Sequence, residues 1–304
     1  MDRLKNVKNI SWHQVKSFSE SFAKETSEYL FTKAKILGAS FDTIPEDQKV
    51  YDEGNQRRHH YLASLNSAST PHNLTFTQAT ESDRAKIYDF MMDVFRIHEP
   101  ITNNLDCQEW ELEDFFSDIL TECLNDNVSI LVHDSSNKLI AICLNSIHHK
   151  KCDNKVSEVD DTSDKVDFTL EYERCDYKSD KANKIATFVA TIDTNYEHLL
   201  PKEIEKLLKL DVICVSPAMA RCGIAATLMN VVFEFGKIEG ADGIISCTTA
   251  TGSQNLLKKK GFFKIKSHSF DMFKVNGEIV FKNLVDKGVG GSLMLKQLDL
   301  DEVV

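Results

Sequence analysis

The stretch Val212 to Leu228, VICVSPAMARCGIAATL, decides how this chain folds. It begins with apolar residues of strand character, crosses a proline-containing loop and enters a segment whose first turn is small at Gly223, Ala225 and Ala226. Beyond it Ile224, Leu228, Val231, Phe235 and Ile238 recur at helical spacing, so Gly223 to Ile238 is predicted as a helix with one buried face. Gly243 to Thr248 then reads as another strand. Strand, helix and strand in that order imply a right-handed crossover and a parallel central pair. The first turn of such a helix carries backbone N–H groups without helical partners, and small side chains let an anion approach them. Two readings follow from the residues alone: a diphosphate held on those amides, or a tight turn in which glycine serves packing.

Working outward, Ile185, Phe188, Val189 and Ile192 share a helical face, and Leu207 to Val215 is an amphipathic stretch running into a buried strand. Val128 to His133 and Lys138 to Ile147 flank Asp134–Asn137 as a hairpin. Leu74 to Gln78 alternates as a strand, followed by Ile87, Phe90, Met91, Val94 and Phe95 on a helix that Pro100 ends. Asp106 and Glu109 are placed as a capping box ahead of a helix through Leu112, Phe115, Phe116, Ile119 and Cys123. On the C-terminal side come a helix through Leu256 and Leu257, the turn at Gly261, and strands at Phe263 to Phe270 and Ser292 to Leu298. The fold class is therefore α/β (α+β), a mixed central sheet flanked by helices.

This main domain is assigned to residues 72–304, with polar His148 to Asp180 as a surface insertion. Ahead of it, Trp12, Val15, Phe18 and Phe22, then Leu30, Ala34 and Leu37, suggest amphipathic helices. Asp42 to Asn73, with Pro45, Gly54 and a Ser/Thr/Pro-rich end, reads as a linker. Residues 1–71 are thus a helical extension and linker, with Trp12, Phe18 and Phe22 expected to dock.

Of 304 residues 42% are apolar and 27% charged, which places the chain among globular proteins. No run approaches the ~20 apolar residues that cross a bilayer, and Met1 to Asn9 is polar, so a cytoplasmic protein without a membrane partner is expected. Eight cysteines without regular spacing read as free thiols. The net charge of −11 disfavours nucleic acid as a partner and suits a cationic small molecule better. His59 with His60, and His148 with His149 and Cys152, lack zinc-site spacing, so no metal is expected. The GVGG at 288–291 has the wrong spacing for a dinucleotide loop and reads as a flexible lead into the last strand.

VSPAMARCGIA resembles the signature V-x-P-x-x-R/Q-x-x-G-x-G/A of the GNAT superfamily of acyltransferases, with Val215, Pro217, Gly223 and Ala225 matching. The resemblance implies the GNAT fold and acetyl-CoA as co-substrate. Strand backbone at Ile213, Cys214 and Val215 would pair with pantetheine. Amides at Arg221, Cys222, Gly223, Ile224, Ala225 and Ala226 would hold the pyrophosphate. Ala220 departs from the signature's Arg or Gln, which removes a side-chain contact and leaves the backbone donors.

VFRIHEPITNNL, Val94 to Leu105, resembles a helix-end motif of the invertebrate arylalkylamine N-acetyltransferases, whose catalytic Glu falls on Glu99. TTATGSQNLLKKKGF and SFDMFKVNGEIVF resemble the same subgroup. The resemblance assigns Thr249 and Ser253 to two functional hydroxyl positions, and puts Leu257 where many GNAT enzymes carry an acid Tyr. For Ser253 the residues leave a second role open, as N-cap of a helix over Gln254 to Lys260. Cys222 is read as a bystander. The implied activity is direct acetyl transfer from acetyl-CoA to a small primary arylalkylamine with Glu99 as base. Two alternatives stand beside it, a CoA-binding module with decayed catalysis and a protein or polyamine N-acetyltransferase. Oligomeric state is not legible.

Overall fold

The computed structural model describes residues 46–68, 73–150 and 166–298. Trp12, Phe18 and Phe22 lie outside them. The sheet has seven strands: β1 (Thr75–Gln78), β2 (Ile130–His133), β3 (Leu139–His149), β4 (Lys206–Val215), β5 (Gly243–Thr248), β6 (Phe263–Ser269) and β9 (Gly290–Gln297), in the order β1-β2-β3-β4-β5-β9-β6. A small hairpin of β7 (Lys274–Val275) and β8 (Glu278–Ile279) stands apart. Only β4 and β5 run parallel; the other neighbours are antiparallel.

The crossover helix is Ile224–Ile238, and its stripe of Ile224, Leu228, Val231, Val232 and Phe235 is buried against Leu208, Leu210 and Ile244. The opposite sheet face is covered by helices at Arg84–Phe90, Glu109–Asn125 and Asp180–Asp193, through Ile87, Leu112, Phe116, Ile185 and Phe188. Both faces are thereby closed, which is why β4 is apolar on both sides apart from Lys206, Lys209 and Asp211. Among the described residues no helix is long and apolar enough to cross a membrane.

Two irregularities in β4 shape everything that follows. Leu144 pairs with Val212 and Asn145 with Leu210, so Asp211 is an extra, bulged residue. Before the bulge Leu208 and Leu210 face the crossover helix; after it Ile213 and Val215 do. The second is a fork. Pairing between β4 and β5 is confined to Leu207↔Gly243, Leu208↔Ile244 and Lys209↔Ile245. Immediately beyond, Ser246 Oγ donates to the Leu210 carbonyl at 2.8 Å, replacing a ladder bond with a side-chain one as the strands part.

Several expectations need correction. Most of Asp42 to Asn73 is no linker: Glu46–Ser67 is a 22-residue helix, α1. Its composition lacks a clean apolar stripe because its anchors are few: Leu62 is buried and the buried Arg58 pairs with Glu239. Asn66 exchanges two 2.8 Å bonds with the backbone of Phe76 on edge strand β1. The compact unit that contains the sheet spans Gly54–Val304, so the boundary at 72 moves toward the N-terminus. The insertion at 148–180 is not wholly peripheral, since Phe168 is buried and stacks on Phe273 at 5.1 Å. The capping box before Glu109–Asn125 is Gln108 with Glu111, because Asp106 adopts φ 49° and cannot begin a helix. Gly290 and Gly291 are already inside β9, where a Cβ would fall 2.3 Å from the His268 carbonyl oxygen and 2.4 Å from Ile192 Cδ1. Close approach, not flexibility, explains them.

Candidate active site

A cavity of about 230 Å³ occupies the fork. Its walls are the parted ends of β4 and β5, with Phe95, His98, Glu99 and Pro100 on one side and Thr249, Ser253 and Leu257 on another.

Glu99 is delivered by a broken helix. Arg84–Phe90 continues through a π-helical turn at Met91–Phe95 and a last turn at Arg96–His98, then Glu99 turns extended at φ −72°, ψ 128°. A π turn inserts an extra residue into the helical register and is common at functional sites. Pro100 both ends this helix and opens the next, Pro100–Asn104, with Glu99 as its N-cap. Glu99 Oε2 accepts from Thr102 N at 2.8 Å and Oε1 accepts from Thr249 Oγ1 at 2.7 Å. The carboxylate is 8% exposed, and burial pushes its pKa above the usual carboxylate range while the Thr102 and Thr249 bonds oppose that shift. A carboxylate held in place and made more basic by burial is suited to accept a proton.

Thr249 follows β5 directly and lies, with Glu99, at the head of the cavity. Ser253 sits inside the helix Thr251–Lys259, lines the same cavity and is not an N-cap. That role falls to Ala250, and a distant residue supplies the capping acceptor: Asp286 Oδ2 receives Thr251 N at 2.7 Å. Leu257 is buried in the cavity wall and brings no acid.

The loop between β4 and the crossover helix folds with Arg221 at φ 62° and Gly223 at φ 80°, the second a conformation natural to glycine. The first bond of the turn is Thr227 N to Gly223 O at 3.0 Å, so the Ile224, Ala225 and Ala226 amides precede the helical ladder. No side chain at Gly223 caps them, and a Cβ built there meets nothing within 4 Å. Ala220 and Arg221 are exposed. On β4, Ile213, Cys214 and Val215 pair with β3 along one edge, while the fork leaves their other edge without a strand. An open helix N-terminus leading into a free strand edge fits a threadlike molecule with a diphosphate at one end.

Cys214 is pushed up to about 12, by burial and then by the charge of Glu99, and burial also holds Cys247 well above the usual thiol range. Neither is a thiolate nucleophile. Cys222 lies with Sγ 3.7 Å from the Ala220 carbonyl oxygen. Among the described residues no cluster of His, Cys, Asp or Glu is arranged to hold a metal.

One ionic cluster escaped the sequence reading. Lys209 Nζ lies 2.7 Å from Asp193 Oδ2 and 3.0 Å from Asp211 Oδ1. Burial works against the Lys209 charge, but Asp211 and Asp193 override it and hold the ammonium above the usual lysine range. Asp211 also accepts from Ser146 Oγ at 2.7 Å. The signal was Lys209 and Asp211 interrupting the apolar residues of Leu207 to Val215 in KLLKLDVICV.

No family model and no curated protein sequence matches the chain. Solved structures do. Arylalkylamine N-acetyltransferase 2 of Aedes aegypti superimposes with a TM-score of 0.58 at 16% identity, covering 75% of this chain and 100% of that one. The chain has the GNAT fold. A mosquito arylalkylamine N-acetyltransferase like 5b gives 0.59 at 15% identity, and the polyamine N-acetyltransferase of Drosophila melanogaster gives 0.57 at 13%, each over 74% of this chain and 100% of its own. Within this GNAT fold, the forked strands and Glu99 meet at one cavity, and the loop at 216–223 leads on from the β4 end of its wall.

Proposed function

We propose that this protein is an N-acetyltransferase that moves the acetyl group of acetyl-CoA directly to a small primary arylalkylamine. The observation that carries the reading is the buried Glu99 carboxylate, hydrogen-bonded to Thr249, in a cavity whose other wall is the unpaired edge of β4. The proposed acyl donor lies along Ile213, Cys214 and Val215, with its pyrophosphate on the amides of Arg221 to Ala226.

An alkylamine arrives as an ammonium near neutral pH. Glu99 takes its proton, directly or through the Thr249 hydroxyl, whose hydrogen already points at Oε1. The freed nitrogen attacks the thioester carbonyl, and β4 backbone N–H groups at the fork stabilise the developing oxyanion. With Leu257 apolar, the departing thiolate receives its proton from the hydroxyl side of the cavity, where Ser253 stands.

The cavity wall favours a monoamine over a polyamine. Its two carboxylates are Glu99 and Asp211, the first engaged by Thr102 and Thr249 and the second by Lys209 and Ser146. Neither is spare for a second ammonium, whereas Phe95 and Pro100 offer an apolar wall to an aryl group.

Calorimetric titration with acetyl-CoA, followed by thiol-release assays with tyramine, dopamine, spermidine and an N-terminal peptide, tests the whole reading. Binding with turnover on the aryl amines is expected. Binding without turnover on any acceptor would leave a CoA-binding module, and preferred turnover of spermidine or peptide would reassign the acceptor.

A further inference from the structure

The reaction proposed above releases a proton that the buried base cannot deliver to water by itself. Ammonium and thioester become amide, thiol and one free proton: nitrogen sheds two N–H protons, the departing thiolate takes one, and the other must reach solvent. Glu99 receives that proton, yet its carboxylate is buried and both oxygens are occupied, by Thr102 N and Thr249 Oγ1. To act again, it has to pass the proton on.

The ionisable groups that line the cavity are few. Asp211 is bound to Lys209 and Ser146, and the thiols of Cys214 and Cys247 are held protonated by burial. His98 differs from all of these. It precedes Glu99 in the chain, contributes to the same cavity wall and is exposed to solvent. Among the described residues no hydrogen bond or ion pair ties up its imidazole. It stands at the end of the last helical turn, Arg96–His98, where the chain swings out to place Glu99 inward. Imidazole is the side chain that both takes and releases protons near neutral pH.

We infer that His98 carries the reaction's net proton from the cavity to bulk solvent, acting through Glu99 and not on the substrate. The proton leaves Glu99 for a ring nitrogen of His98, directly or across a cavity water, and the imidazolium then loses it to water or buffer. Nothing else is consumed. The role rests on the acetyl-transfer reading, and the test separates the two.

The full-length protein and its His98→Gln and His98→Ala variants would be assayed for thiol release on an accepted aryl amine, in dilute buffer of low proton-carrying capacity. The variants should lose at least roughly tenfold in kcat, less than the ~10²–10⁴ of a group that acts on the substrate itself, with the KM for acetyl-CoA unchanged. Added imidazole should restore His98→Ala in a saturable way and leave the wild type unaffected. Variants with wild-type kcat in dilute buffer would overturn the role, and so would a slow variant that ignores imidazole, since loss of packing is not cured by a proton carrier. If the wild type transfers acetyl to no amine, the acetyl-transfer reading itself fails and takes this role with it.

Discussion

Replacing Glu99 by Gln separates chemistry from architecture at the most informative position of the chain. The amide oxygen can still accept from Thr102 N, so the N-cap of Pro100–Asn104 survives, and the Thr249 hydroxyl can turn to accept from the new NH₂. Losing the charge weakens the cap bond by about 1 kcal/mol, from a charged to a neutral acceptor. Relief of a buried ionised carboxylate, whose cost shows in the raised pKa, works the other way. Net stability should stay within about 1 kcal/mol, or roughly 2–4 °C in Tm for a domain of this size. Turnover should fall by roughly 10²–10⁴, a barrier increase of about 3–5 kcal/mol. In wild type, kcat/KM should drop as pH falls through a Glu99 value lying above the ordinary carboxylate range. The variant should lack that limb, and its defect should shrink at high pH as free amine accumulates. Thiol release across pH, with melting curves alongside, measures all three. A Gln variant that turns over like wild type removes Glu99 from the chemistry, and one that melts far earlier shows that the carboxylate is structural.

Other positions give equally direct readings. Gly223→Asp should abolish acetyl-CoA binding in calorimetry by setting an anion beside the pyrophosphate, whereas Gly223→Asn, with similar tolerance of φ 80°, should bind. Unchanged affinity in the Asp variant would discard the site. Leu62→Ala, a buried truncation on α1, should lower stability by roughly 2–4 kcal/mol in denaturant titration; a neutral result would mean that α1 does not hold the sheet. His268, buried among Phe168, Phe188 and Phe273, has its pKa lowered by burial and by Lys266, against opposing effects of Met272 and Asp271. A lowered value means the folded state prefers neutral imidazole, so its contribution is full above about 6.5 and is lost as pH falls through that value toward the folded one. His268→Phe should therefore flatten the decline of Tm between neutral and mildly acid pH, and parallel curves would assign that decline elsewhere.

The core of the fold was legible where one period dominated. The stripe from Ile224 to Ile238 and the apolar run of β4 announced helix and strand, and Gly223 marked the turn between them. Legibility ended where distant residues decide. Asn66 is recognisable as a helix residue only once the backbone of Phe76 is beside it, and the N-cap role left open for Ser253 closes only when Asp286, 35 positions beyond Thr251, is seen to supply the capping acceptor. Phe168 looked isolated in a polar stretch because its partners, Phe273 and His268, lie far along the chain. Glu99 and Thr249 were each singled out by resemblance, yet their 2.7 Å bond spans 150 positions and no local pattern encodes it. The charged pair Lys209 and Asp211 was visible in the string, but its meaning depended on a bulge that sequence periodicity does not show.

The fork between β4 and β5 also gives the sheet two more margins than its outline suggests. A strand margin with open N–H and C=O groups is a template that invites any extended chain, and proteins commonly blunt such margins with charge, bulges or cover. Here the half-buried, strand-free rim of Ile213–Val215 packs toward the crossover helix on one face and lines the cavity with Glu99, with the Asp211 bulge at its inner end. A margin that would be an aggregation hazard on the outside of the molecule lies instead within a cleft, whose vertex Ser246 closes through its bond to the Leu210 carbonyl.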